Sequence, residues 1–186
     1  MARLLDLCNP DVYVDALVSI DPGDLKAAGF EAVLLDLDNT MLPWKSSELP
    51  ESTRGWVRRA KEVGLKLCIV SNTHYPRRLN KIAGELEVPS VDRALKPRKQ
   101  GFMRALLLLD CAPDKTVVIG DQVMTDIIGG NAAGMLTVLV KPMHPKEFLG
   151  TKLSRVLESA ILALLRARGE LGTKSYPAKS QTQDTR

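Results

Sequence analysis

Five short apolar stretches, at about residues 32–37, 65–70, 88–91, 116–119 and 136–140, punctuate the chain, and amphipathic segments fill the spaces between them. Short runs rich in valine, isoleucine and leucine predict buried strands, since a helix needs a longer and periodic pattern. Between them, Glu51 to Val63 reads as a helix stopped at Gly64, a second helix runs from Pro76 to about Leu86, and residues 98–110 place Phe102, Leu106 and Leu109 on one stripe. A further helix carries Asp126 early and runs toward Gly134. Strand alternating with helix predicts right-handed crossovers and therefore an α/β fold. The expected architecture is a single Rossmann-like, doubly wound parallel sheet of about five strands with helices on both faces.

The two ends of the chain read differently. Residues 1–30 are expected to be an amphipathic lead-in packed on the core, with Tyr13, Val14, Leu17 and Val18 at roughly helical spacing and a short helical turn from Asp24 to Gly29. Residues 31–168 form the expected domain, whose last helix, Lys152 to about Arg168, carries a narrow apolar stripe that predicts docking on the core over docking on a membrane or a partner. Residues 169–186 are polar and aperiodic, and are expected to be disordered.

Each predicted strand from the first to the fourth delivers polar residues at its carboxyl end. These are Asp36 and Asp38 after the first, Ser71 and Asn72 after the second, Arg93 and Lys96 after the third, and Asp121 and Asp126 after the fourth. In a doubly wound sheet such ends converge on one crevice. Alternation along an extended strand would put Asp36 and Asp38 on the same side. Two like charges at that separation repel by roughly 4 kcal/mol at an effective dielectric of about 20, so the pair requires a cation, a shared proton, or both.

Composition narrows the classes without choosing among them. The chain has 186 residues, a charged fraction of 26% and a formal net charge of +4, which suit one soluble domain and fit an anionic partner only weakly. No run reaches the roughly 18 apolar residues of a membrane span, and Asp6, Asn9, Pro10 and Asp11 interrupt any secretory core, so a cytoplasmic protein is expected. Three widely spaced cysteines, Cys8, Cys68 and Cys111, suggest buried thiols and no disulfide framework.

A crevice holding several carboxylates, a hydroxyl and an ammonium suits phosphate chemistry. Asp36 and Asp121 can hold a hard, oxygen-seeking cation such as Mg²⁺, while Lys96 and Ser71 meet the oxygens of a phosphoryl group. Asp36 is then placed to attack phosphorus, and Asp38 to protonate the leaving oxygen and later to take a proton from water.

Asp36-Leu37-Asp38-Asn39-Thr40, Ser71-Asn72-Thr73, Lys96-Pro97 and Gly120-Asp121-Gln122-Val123-Met124-Thr125-Asp126 resemble the four ordered motifs of the haloacid dehalogenase superfamily. The resemblance implies Asp36 as nucleophile, Asp38 as acid/base, and Mg²⁺ held by Asp36, the Asp38 backbone carbonyl and Asp121 with help from Asp126. It also implies that Ser71, Asn72 and Lys96 bind the phosphoryl group. An aspartate at position 38 implies a phosphatase-type member. Over roughly residues 8–165 the chain is similar to the small YqeG-type branch and to phosphatidylglycerophosphate phosphatases.

Relatives that act on small metabolites often insert a cap over the site. Only residues 41–70 separate the first two motifs here and only residues 72–95 the next two, which leaves no room for a cap domain. An open site excludes water poorly and suits a phosphate carried on something large, such as a protein, a nucleic acid end or a lipid headgroup at a membrane surface. Among these, the resemblance to phosphatidylglycerophosphate phosphatases implies an anionic phospholipid headgroup at the inner face of a membrane as the expected substrate. Arg93 and Arg98 are candidate contacts to its second phosphate. The rival substrates are a phosphoprotein or a nucleic acid terminal phosphate; with three Phe, three Tyr and two Trp no stacking platform stands out, and no stable nucleic acid partner is expected. Outside enzymes, the rival is a phospho-accepting signalling module. The sequence leaves the oligomeric state open.

Overall fold

The computed structural model describes residues 2–143 and 149–172. Six parallel strands form one sheet: β1 (Val12–Val14), β2 (Ala32–Leu35), β3 (Lys66–Val70), β4 (Ser90–Val91), β5 (Thr116–Gly120) and β6 (Leu136–Val140), in the spatial order β1-β6-β5-β2-β3-β4. The helices are α1 (Ala2–Cys8), α2 (Pro22–Ala27), α3 (Glu51–Glu62), α4 (Pro76–Leu86), α5 (Lys99–Leu109), α6 (Ile128–Ala133) and α7 (Leu149–Ala167).

Alternation along the central strands builds a core on each face. Val33 and Leu35 of β2, Leu67 and Ile69 of β3 and Val117 and Ile119 of β5 join Trp56, Val57, Leu79 and Ile82 of α3 and α4. Leu34, Cys68 and Val118 point the other way, onto Phe102, Ala105 and Leu106 of α5. Burial on both faces explains why these strands read as continuous apolar runs. The order in which the chain adds strands reverses at β2, which has β5 on one side and β3 on the other, so the crevice beyond its carboxyl end is the topological switch point.

The lead-in differs from a simple amphipathic helix. Val12–Val14 adds a sixth strand at the β6 edge, pairing Val12 with Val138 and Val14 with Val140. Three residues are too few to show a period of two, and Val12 and Val14 are β-branched, which favours the extended form. Beyond it, Leu17, Ile20 and Leu25 are buried, and the Trp56 indole N–H donates to the Ile20 carbonyl at 2.7 Å, tying this segment to α3.

One face of α7 packs on the segment that follows β5 and on β6. Ile161 and Leu162 meet Val123, Ile127 and Leu139, and the Glu158 carboxylate accepts from the Met124 backbone N–H at 3.1 Å. No described helix is long and apolar enough to cross a membrane. From residue 173 onward, the tail expected to be disordered lies outside the described residues.

Candidate active site

Asp36 sits one residue past β2, with its backbone N–H still donating to the Ile119 carbonyl of β5 at 2.9 Å. The carboxylate is therefore carried on the last rung of the ladder, a rigid mount. After it the chain curls: Asn39 has a φ of +64°, a conformation that asparagine tolerates better than most residues, and its side-chain oxygen accepts from the Trp44 N–H at 3.2 Å.

Lys96 reaches the same point from the loop after β4. Its ammonium donates to Asp36 Oδ1 at 2.6 Å, to Asp126 Oδ1 at 2.6 Å and to the Val70 carbonyl at 2.8 Å, so all three of its hydrogens have acceptors. The backbone leading into it is unusual, since Arg93 and Leu95 both have positive φ, at +43° and +56°. Asn72 holds this loop: its side-chain oxygen accepts from the Lys96 N–H at 2.8 Å and its amide donates to the Lys96 carbonyl at 3.1 Å. Both ends of the Asn72 amide thus act on the lysine's backbone. Ser71 is buried at the end of β3, where its hydroxyl accepts from the Thr73 N–H at 3.1 Å.

Asp121 and Asp126 arrive from β5. Asp126 lies in a single π turn, Val123–Ile127, a feature frequent at functional sites. Its carboxylate folds back over β5, so a Cβ at Gly120 would lie only 2.3 Å from Asp126 Cγ; the position admits glycine alone. Asp126 Oδ2 accepts from the Gln122 N–H at 3.2 Å. Asp36, Asp121 and Asp126 each offer an oxygen within 4.8 Å of the others. This all-oxygen donor set suits a hard divalent cation.

The electrostatics follow from burial. Burial is the largest cause of the Asp36 carboxyl being pushed up to about 7; Lys96 pulls it back, and the negative charges of Asp126 and Asp38 add to the rise. Burial works against the charged form of Lys96 too, but Asp126 and Asp36 outweigh it and hold the ammonium above its ordinary range. The lysine is charged at any physiological pH.

Asp38 stands apart from the three-carboxylate cluster. β2 ends at Leu35, so alternation does not extend to residue 38. Its carboxylate turns to Arg78 in the first turns of α4, accepting from Nη1 at 3.0 Å and Nη2 at 2.8 Å, while Arg78 Nε donates to the Ser46 carbonyl at 2.6 Å. The repulsion expected between Asp36 and Asp38 is thus met by one cation for each, Lys96 and Arg78. Arg78 was not singled out in the sequence: it is one of two adjacent arginines after Pro76, and nothing local marks it. Arg93 and Arg98 are exposed on the loop that carries Lys96, outside the cluster itself.

The chain's likenesses agree with this arrangement. A family model described as HAD-hydrolase-like matches residues 94–142, which contain Lys96, Asp121 and Asp126. Over 162 residues the chain is 34% identical to the probable phosphatase YqeG of Bacillus subtilis, covering 87% of this chain and 94% of that protein. It is 29% identical over 163 residues to phosphatidylglycerophosphate phosphatase 1, chloroplastic/mitochondrial, of Arabidopsis thaliana; this takes in 82% of the chain but 47% of that protein, so the chain spans about half the relative's length. Among solved structures, a HAD family hydrolase from Deinococcus radiodurans R1 with bound phosphate and sodium superposes with a TM-score of 0.50 at 20% identity, covering 77% of this chain and 98% of that one. At that identity the likeness is one of fold.

Proposed function

The chain is a member of the haloacid dehalogenase-like phosphatases, in their YqeG-type branch, and on that premise we propose that it removes the terminal phosphate of phosphatidylglycerophosphate through an aspartyl-phosphate, with Mg²⁺ in the acidic cluster. The observation that carries the chemistry is the meeting of Asp36, Lys96, Asp121 and Asp126, drawn from three strand ends, around one point.

Asp36 is the nucleophile. Lys96 fixes its carboxylate by the bond to Oδ1 and opposes the burial that raises its pKa. An oxygen of Asp36 attacks phosphorus, the bond from phosphorus to the lipid oxygen breaks, and that oxygen takes a proton from Asp38. Water then attacks phosphorus, giving its proton to Asp38, and the bond to Asp36 breaks to release inorganic phosphate. Ser71, at the end of the neighbouring strand, hydrogen-bonds the phosphoryl oxygens, and the Lys96 ammonium does so by exchanging one of its carboxylate bonds for the phosphoryl oxygen; Asn72 serves by holding Lys96 in place. Asp36, Asp121 and Asp126 would hold Mg²⁺, which when bound neutralises charge on the phosphoryl oxygens as a Lewis acid.

The lipid substrate is supported by the named activity of relatives that share 82% of this chain, and by the openness of the site. The connections after β2 and β3, residues 36–50 and 71–75, carry no inserted domain, so a large headgroup meets no lid. The exposed Arg93 and Arg98 would meet the second, diester phosphate. On this reading the protein works in the cytoplasm, peripherally at the inner face of the membrane. The test is phosphate release from phosphatidylglycerophosphate in mixed micelles beside soluble sugar phosphates, with Asp36→Asn as the blank. Preferential release from the lipid, dependent on Mg²⁺, is expected; preference for the sugar phosphates would remove the lipid substrate.

A further inference from the structure

The loops at the catalytic edge carry apolar side chains that the fold does not use. Leu95, immediately before Lys96, is 54% exposed although its φ of +56° is a conformation that disfavours any residue bearing a Cβ. Tyr75, at the start of α4 and four residues beyond Ser71, is 77% exposed. Met143, three residues past β6, is also exposed, and its backbone N–H donates to the Asn39 carbonyl at 3.1 Å, which ties that loop to the turn after Asp36. All strands are parallel, so the three loops leave the same edge of the sheet, the edge that holds the acidic cluster. Arg77, Arg93 and Arg98 are exposed among them.

Single apolar residues on a surface are ordinary. What separates these is their arrangement: isolated tips on separate loops, interleaved with guanidinium groups, at the mouth of the reactive site. A protein partner would be met by a contiguous patch. A bilayer takes aromatic and aliphatic tips singly at headgroup depth, while cations above them meet lipid phosphates.

We propose that this rim is the surface by which the protein sits on an anionic lipid bilayer, with Tyr75 and Leu95 entering the headgroup region and the arginines meeting lipid phosphates. The inference rests on the lipid substrate argued above and adds the docking face: a headgroup reaches Asp36 without leaving the membrane. Two of the other exposed leucines lie elsewhere and serve as a control. Leu107 and Leu108 are 80% and 58% exposed near the end of α5, which starts just after Lys96 and runs back along the sheet, so they stand at the opposite edge.

The experiment is co-sedimentation of the full chain with vesicles of equal parts phosphatidylglycerol and phosphatidylcholine, and with phosphatidylcholine alone. Three variants are compared with wild type: Tyr75→Ser/Leu95→Ser, Tyr75→Ser alone, and Leu107→Ser/Leu108→Ser. Wild type and the Leu107/Leu108 variant should bind only the anionic vesicles. The Tyr75/Leu95 variant should bind at least tenfold more weakly, Tyr75→Ser between the two, with turnover of a soluble aryl phosphate unchanged in all. Phosphate release from phosphatidylglycerophosphate in vesicles should fall at least tenfold in the double variant, while release from a short-chain, water-soluble form should hold. Wild-type binding by the Tyr75/Leu95 variant, loss of binding in the Leu107/Leu108 variant, or no anionic-vesicle binding by wild type would each overturn the proposal. Vesicle-bound wild type that leaves phosphatidylglycerophosphate intact would instead remove the substrate, with the rim still supported by binding.

Discussion

Replacing Lys96 by methionine keeps most of the side-chain volume and removes the charge. In the structure its ammonium is buried, with the side chain 3% exposed, and lies 2.6 Å from a carboxylate oxygen on each of Asp36 and Asp126. At an effective dielectric of about 20, each contact is an attraction of roughly 6 kcal/mol, much of which offsets desolvation of the three ions. Without the lysine, the two carboxylates face each other within 4.8 Å, a repulsion of roughly 3.5 kcal/mol on the same basis. Removing one partner of a buried charge pair typically costs about 3–5 kcal/mol, and that is the expected loss in urea unfolding of the metal-free protein. Mg²⁺ should restore part of it by balancing the carboxylates. Aryl phosphate turnover should fall about 10²–10³-fold, the usual cost of losing one preorganised donor to developing charge. Lys96→Arg should fall between, because a planar guanidinium cannot reproduce three bonds converging on one nitrogen. A stability loss under about 1 kcal/mol, or turnover within tenfold of wild type, would refute the reasoning.

Arg78→Ala should lower kcat about 10–100-fold with little change in KM, since Arg78 orients Asp38 without reaching the cluster, and Arg78→Lys should recover only part of it for want of the two-pronged contact. Steady-state kinetics on a soluble aryl phosphate reads both; a loss confined to KM would contradict the assignment. Gly120→Ala should displace the Asp126 carboxylate and weaken Mg²⁺ binding at least tenfold by calorimetry, and unchanged affinity would show that the close approach is not needed. For Asp36 the folded pKa, about 7, lies above its ordinary value near 3.9, so its contribution to stability is present below that ordinary value and is lost as pH rises through about 7. In metal-free protein the stability of wild type relative to Asp36→Asn should therefore fall between about pH 4 and 7 and level off above; a flat difference in urea unfolding across that window would contradict it.

The architecture was legible because its central strands are buried on both faces and so announce themselves as apolar runs with polar ends. β2, β3, β5 and β6 lie within two residues of the expected stretches. The edge strand Val12–Val14 was not legible: a three-residue strand leaves no periodicity, and neighbouring apolar residues imitate a helical stripe. At the site, Asp36, Lys96, Asp121 and Asp126 could be read because each follows a strand in a sheet whose ends converge. Arg78 could not, because its role depends on where α4 packs, which no spacing in the chain encodes. The strand alternation expected to carry both Asp36 and Asp38 stops short for a related reason: β2 ends before residue 38, and the turn at Asn39 gives the second carboxylate a cation of its own, Arg78.

The central claim is that Asp36 carries the phosphoryl group during turnover. Acid quench in the steady state, reduction with borohydride and peptide mass spectrometry should find residue 36 converted to homoserine in wild type, with no such product in Asp36→Asn and no turnover by that variant. Steady turnover without modification at residue 36, or an acyl-phosphate on another carboxylate, would contradict the account.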